Sequence, residues 1–259
     1  MKIVLLTNNS GPAKFIANHL YEKGLLDAAI IEDGTIKKKK KIFREIKSTP
    51  WARIPIKFLD LLAIYIYSQF TKSYIEKHLL RRSNIKIFPK KLICHEVKNA
   101  SGLHSISILK SLTPDIIIVL GTSILKPEVL SIANQYTLNI HGGIVPQYRN
   151  VHSDFWAIKK KDFNSIGTSI IHLDPGIDTG QIAIQGFLKV KPHDSLFSIK
   201  IKNIELSLDL ILKAIDMVKN GNLPKTIQKD IIGGFHKTPG FFDFLGWFTS
   251  NTINIERFS

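Results

Sequence analysis

Asn139, His141 and Asp178 are the residues whose types and spacing best suit chemistry. In TLNIHGG the asparagine and histidine lie two apart on a short apolar run, and the two-residue period of a strand places both side chains on one face. They stand at its end, just before Gly142 and Gly143. In an open α/β sheet, ligands bind beyond the carboxyl ends of the strands. In LDPGIDTGQI, Asp178 falls between two glycines, and Pro175-Gly176 favours a tight turn that would hold the carboxylate fixed and exposed. An amide, an imidazole and a carboxylate suit the transfer of an acyl group to an amine. Attack by the amine develops negative charge on the acyl oxygen. Asn139 Nδ2 and a protonated His141 can donate to that oxygen, and one such donor is worth about 3–4 kcal/mol of barrier. Asp178 can hold His141 in its charged form and move protons between the amines. No Ser or Cys nucleophile is required, and no G-x-S-x-G pattern is present. Taken singly, each residue has an ordinary role: a strand-end histidine is commonly a satisfied core or surface residue, and Asn and Asp commonly form turns. The combination singles them out.

The surrounding sequence reads as the α/β frame such a site needs. Residues 2–7 (KIVLLT) form a buried strand, 13–22 a helix closed by Gly24, and 28–32 (AAIIE) a second strand, together a βαβ unit. Residues 103–112 form a helix stopped before Pro114. Residues 115–120 (DIIIVL), apolar on both faces, form a central parallel strand. A helix over 127–133, strands over 137–141, 167–173 and 182–190, and a long amphipathic helix over 195–220 stopped by Gly221 complete the pattern. The residues from Gly233 onward, rich in Gly, Phe and Thr, match no element.

Between Lys37 and Lys91 the rhythm breaks. That stretch holds sixteen Lys or Arg against Glu45, Asp60 and Glu76, so it carries nearly all of the net charge of +15. A locally basic insertion fits this better than a nucleic-acid-binding surface over the whole protein. Within it, residues 56–70 (IKFLDLLAIYIYSQF) are apolar almost all the way round yet too short to span a bilayer. They are expected to form a helix buried within the protein or a dimer, with membrane contact at most weak and salt-sensitive. A single cysteine, Cys94, excludes an internal disulfide. Together with the lack of a signal-peptide core, it leads us to expect a cytoplasmic protein. The nine histidines show no H-x-x-x-H spacing and the lone cysteine no partner, so no metal is expected.

Residues 114–185 resemble the N10-formyltetrahydrofolate-dependent formyltransferases. The resemblance rests on PDIIIVLGTSILKPEVL, on NIHGGIVPQYR and on GTSIIHLDPGIDTGQI, which contain the family's Asn-x-His, Pro-x-Tyr/Trp-Arg and Asp-Thr-Gly motifs in order. It implies that Asn139, His141 and Asp178 are the catalytic trio. It also implies that the folate co-substrate lies along Gly121, Thr122, Ser123, Ile124 and Leu125 and the loop containing Asp174 and Gly176. Gly143, Tyr148, Arg149, His152 and Trp156 then line the acceptor side. The chain departs from the family pattern at Gly142-Gly143, where Pro-Ser is common, and at Asn150, where Gly is usual. The loop TNNSGP (7–12) is not the glycine-rich phosphate loop of the purine-pathway members. Only 69 residues follow Val190, so the long C-terminal domain of the initiator-tRNA members is not expected.

The expectation is therefore a Rossmann-like α/β catalytic domain over residues 1–190, with a mostly parallel sheet and the basic helical insertion at about 37–91, followed by a C-terminal helix and tail over 191–259. The implied reaction moves a formyl group from N10-formyltetrahydrofolate to the primary amine of a small molecule, best fitted by a nucleotide-linked amino sugar of surface-polysaccharide synthesis. No metal and no nucleic acid take part, and a homodimer is compatible. Glycinamide ribonucleotide or methionyl-tRNA as acceptor remains open. So does a non-catalytic membrane- or nucleic-acid-binding protein built on the basic segment, although such a protein has no need of the trio.

Overall fold

The computed structural model describes residues 1–33, 42–229 and 234–245. Its centre is a seven-stranded sheet in the order β3-β2-β1-β4-β5-β7-β8. Strands β1 (Ile3–Asn8), β2 (Ala28–Glu32), β3 (Ile93–Val97), β4 (Ile116–Leu120) and β5 (Tyr136–His141) run parallel. β7 (Gly167–His172) runs antiparallel to both β5 and β8 (Ile182–Phe187). The expected mostly parallel, Rossmann-like sheet is what forms. The strand order reverses between β1 and β4, and Asn8 Nδ2 donates there to the Gly121 carbonyl at 2.6 Å.

Period-two alternation divides the core in two. Ile3 and Leu5 point to one face, with α1 (Gly11–Glu22) and α6 (Leu196–Lys219) over them; Val4 and Leu6 point to the other, under α3 (Leu103–Leu112) and α4 (Pro127–Leu130). Between α4 and α6 lies the short α5 (Ser153–Lys159). α6 begins where sequence signals place it. Ser195 Oγ accepts from Ser198 N at 3.1 Å, and Ser198 Oγ accepts from Ser195 N at 2.9 Å. A buried network of Thr168, Asn203 and Ser207 then ties α6 to β7, with Thr168 Oγ1 2.6 Å from Asn203 Oδ1.

The β2–β3 connection contains the basic segment. Its main element is α2 (Ile54–Ile75), 22 residues long, continuing into a π turn at Glu76–Leu80. Of the burial expected for it, within the protein or a dimer, the chain itself supplies one face. Within this chain α2 buries only Ala63, Tyr67 and Ile75, while Phe58, Leu62 and Tyr65 are exposed. The inner face meets Phe155, Leu196 and Phe244, with Ile64 partly buried on the same cluster, while Phe58, Leu62 and Tyr65 face outward. The lysine run at 37–41 lies outside the described residues. Two short strands, β6 (Arg149–Asn150) and β9 (Phe235–His236), pair in parallel and bring the later chain, with α7 (Phe241–Phe244), back to the end of β5. No helix among the described residues is long and apolar enough to cross a membrane.

Candidate active site

Asn139 and His141 share a face of β5, as the strand period requires, and the following turn brings Asp178 to both. Asn139 Nδ2 donates to Asp178 Oδ1 at 3.1 Å, and His141 Nδ1 lies 3.4 Å from Asp178 Oδ2. The same Oδ2 accepts from the backbone N–H of Asn150 at 2.9 Å. Asp178 is not the exposed turn residue expected from its neighbours. Its side chain is 12% exposed, and its backbone is left-handed at φ 52°. Gln228 Nε2 fixes that backbone by donating to the carbonyls of Asp178 at 3.0 Å and Gly180 at 2.6 Å.

The other edge of the imidazole is committed. His141 Nε2 lies 2.8 Å from the Tyr148 carbonyl, which can only accept, so Nε2 carries a hydrogen. Nδ1, with the longer contact, is the nitrogen left to exchange partners. Ser153, at the start of α5, closes this side. Its Oγ donates to the same Tyr148 carbonyl at 3.1 Å and lies 3.4 Å from Nε2. Gly143 is where that space is shared. A Cβ there would fall 2.4 Å from Ser153 Cβ and Oγ and 2.7 Å from His141 Nε2. The volume that a serine at position 143 would fill is occupied by Ser153. Asn150, the other departure from the family pattern, has φ 74°, a conformation that Gly adopts freely and Asn tolerates better than most residues.

Most acceptor-side candidates brace the loop. The Tyr148 ring is buried against His236, and its hydroxyl donates to Asp162 Oδ2 at 2.9 Å; that carboxylate and burial raise the phenol pKa. Arg149 is buried and reaches the Ile177 carbonyl. Trp156 donates to the Lys237 carbonyl at 2.9 Å and packs edge-on to Phe155. His152 is different. It lines a cavity of about 1090 Å³ between the loop Asn9–Pro12, the start of α1, and the Tyr67–Leu80 side of the basic segment. Lys14, Lys72, Arg81, Lys86 and Lys200 surround this space, with Glu76 as the opposing charge. Lys200 Nζ pairs with the buried Asp154 carboxylate at 2.8 Å. Burial alone would lower the lysine pKa, but Asp154 more than offsets it and the pKa is raised. Burial, aided by Lys200, lowers the His152 pKa to about 4, so its ring is neutral near pH 7.

The candidate folate loops sit on the opposite side of the sheet. Ser123 N and Oγ both donate to the buried Glu32 carboxylate, each at 2.7 Å, and Ala100 N donates to it at 3.0 Å. Gly121 has φ 70°, Thr122 is half-buried and Ile124 is exposed, while Leu125 is buried in an apolar cluster that Leu173 also joins. Asp174 accepts from Gly176 N at 3.1 Å and Thr179 Oγ1 at 2.8 Å, which holds the turn leading to Asp178. Among the described residues no cluster of His, Cys, Asp and Glu has metal-ligand geometry. Sequence reading missed Glu32, Ser153, Lys200 and Gln228. Each acts through a contact at least twelve residues away and belongs to no local motif.

The sequence profile of the formyl transferase family matches residues 64–215. A methionyl-tRNA formyltransferase from Methylacidiphilum infernorum (isolate V4) is 30% identical over 141 residues, which cover 54% of this chain and 44% of that protein; the chain thus spans less than half of that relative. Among solved structures, a sugar N-formyltransferase from Shewanella sp FDAARGOS_354 shares the fold at a TM-score of 0.57 and 14% identity, covering 95% of this chain and 79% of that one. Glycinamide ribonucleotide transformylase 1 from Symbiobacterium toebii does so at 0.57 and 13%, covering 88% and 94%.

Proposed function

The chain belongs to the formyl transferase family, and from that premise we propose that it is an enzyme transferring a formyl group from N10-formyltetrahydrofolate to the primary amine of a nucleotide-linked amino sugar. The observation that carries formyl transfer is the convergence of Asn139 and His141 on the Asp178 carboxylate at the end of β5, the first by a hydrogen bond and the second by a 3.4 Å contact. One Asn139 N–H is held by Asp178, which leaves the second to donate to the oxygen that becomes negative as the amine attacks. With Nε2 tied to the Tyr148 carbonyl, His141 has Nδ1–H to share between Asp178 and that oxygen. Asp178 can take the proton the attacking amine must lose and return it to N10 as the bond from N10 to the formyl carbon breaks and tetrahydrofolate leaves. The loops beginning at Gly121 and Asp174, whose Leu125 and Leu173 meet in one apolar cluster, are the residues we propose for the folate side.

The acceptor assignment rests on the cationic cavity. Five Lys or Arg around one space favour a substrate bearing phosphate. His152 lines that space, while Asn150, two residues earlier, holds Asp178, so the anion side and the amine side of the acceptor share one loop. Two other phosphate-bearing acceptors are marked by relatives: a methionyl-tRNA formyltransferase in sequence and a glycinamide ribonucleotide transformylase in fold. The purified protein, given N10-formyltetrahydrofolate, should formylate at least one amino-sugar nucleotide faster than either glycinamide ribonucleotide or methionyl-tRNA. Faster turnover of either of those two would reassign the acceptor. No turnover of any amine would remove the enzyme reading.

A further inference from the structure

The N-terminal half of α2 carries a surface that formyl transfer does not use. Trp51, Ile54, Phe58, Leu62 and Tyr65 recur at three- and four-residue spacing, so they form one stripe along the helix and its entry turn. Trp51 is 85% exposed, Phe58 66% and Tyr65 60%. Phe43, Ile46 and Ile56 are exposed beside them. Scattered exposed aromatics are ordinary, but a continuous stripe of this size marks an interaction surface. The inner face of the same helix is already covered: Ala63 and Tyr67 pack on Phe155 and Phe244, and Asp60 accepts from Phe241 N at 2.6 Å.

Charge decides what covers the outer face. Arg44, Lys47 and Arg53 lie close to the stripe in sequence, within the segment of sixteen basic and three acidic residues. The three acids offset little of this charge. Glu45 pairs with Lys57 at 2.6 Å, Asp60 is on the inner face, and Glu76 lines the cavity. A second copy of this chain would set two strongly cationic surfaces against each other, which like charge opposes. An anionic lipid surface complements the charge, and its headgroup–acyl boundary is where Trp, Tyr, Phe and Leu with flanking Lys and Arg are most stable. The helix is not long and apolar enough to cross a bilayer. We propose that residues 51–65 dock the protein reversibly on an anionic phospholipid membrane, with the apolar stripe in the boundary layer and the basic residues at the phosphates. This binding is independent of the formyl-transfer reading.

The test uses the full chain with phosphatidylcholine vesicles, with or without roughly one third phosphatidylglycerol. The expected result is co-sedimentation with the anionic vesicles at low salt, weakened about tenfold or more at physiological salt, and little binding to phosphatidylcholine alone. Tryptophan emission should shift blue on binding, and the shift should be lost in Trp51→Phe. The double substitution Phe58→Ser with Leu62→Ser alters exposed side chains, so folding and formyl transfer should be unchanged while vesicle partition falls by about tenfold or more. Absence of binding at low salt would overturn the proposal, as would undiminished binding of the double variant. So would a dimer of the wild-type chain that the double variant abolishes, since a second copy would then cover the stripe.

Discussion

Gly143→Ala is the substitution whose outcome the site geometry determines most sharply. The added methyl group would lie 2.4 Å from Ser153 Cβ and Oγ and 2.7 Å from His141 Nε2. The Ser153 hydroxyl can rotate away; its Cβ cannot, because it belongs to the first turn of α5. The cost is steric, since Gly143 does not have a positive φ. Overpacking of this kind typically costs about 1–3 kcal/mol of stability. The effect on catalysis should be larger. The imidazole is held by a 2.8 Å bond to the Tyr148 carbonyl, and relieving the clash means lengthening that bond and moving Nδ1 relative to Asp178. A displacement of about 1 Å in a reacting group can cost on the order of 100-fold. The assay is kcat/KM for formyl transfer, alongside thermal unfolding. Gly143→Ala should fold with a modestly lower Tm and lose about two orders of magnitude in kcat/KM. The double variant Gly143→Ala with Ser153→Gly, which removes the two shorter contacts and lets the methyl shift away from His141, should recover to within about tenfold of wild type. Near-normal activity of the single variant, or no recovery in the double, would refute the reasoning that Ser153 and Gly143 together set the imidazole.

Other consequences follow from the same geometry. His152 has its pKa lowered to about 4 by burial, so below about pH 6.5 the unfolded chain takes up a proton that the folded chain refuses. Its contribution should be complete above pH 6.5 and fall by about 3 kcal/mol by pH 4, and His152→Asn, which keeps the left-handed backbone accessible, should flatten that part of the pH–stability curve in urea titrations. Lys72→Ala and Arg81→Ala, at the cavity wall, should each raise KM for the phosphate-bearing acceptor about fivefold or more with kcat little changed; equal effects on an uncharged amine would remove the cavity from the acceptor site. Asn150→Gly should retain activity, whereas Asn150→Val, forced to φ 74°, should destabilise the fold by about 1–3 kcal/mol in denaturant unfolding and loosen Asp178.

The legible parts of the sequence were those governed by local periodicity. β1 and β4 are continuous apolar runs because both of their faces are covered, and Asn139 and His141 meet Asp178 because a strand repeats every two residues. Ser195 marked the start of α6 because a helix cap is a local hydrogen bond. β3 escaped notice because it is an edge strand: Ile93, Cys94 and Glu96 are exposed, so no hydrophobic pattern distinguishes it from a loop. The long apolar helix in the basic segment was read as buried within the protein or a dimer because its composition is apolar all round; burial is set by the partner, and within the chain the Phe155–Phe244 cluster covers one face. Phe235–His236 could not be read as a strand because two residues carry no period; the pairing with Arg149–Asn150 creates it. The two departures from the family pattern, Gly143 and Asn150, were visible as letters. Their meaning appeared only when Ser153 and a φ of 74° were seen beside them.

The central claim is that Asn139, His141 and Asp178 act as one unit in moving a formyl group to an amine. The direct measurement is single-turnover formyl transfer by Asn139→Ala, His141→Ala and Asp178→Asn, with far-UV circular dichroism to confirm folding. The geometry predicts that each loses about 100-fold or more in the chemical step, because each removes either a donor to the developing charge or the carboxylate that both donors meet. Near-normal turnover in any two of the folded variants would contradict the account.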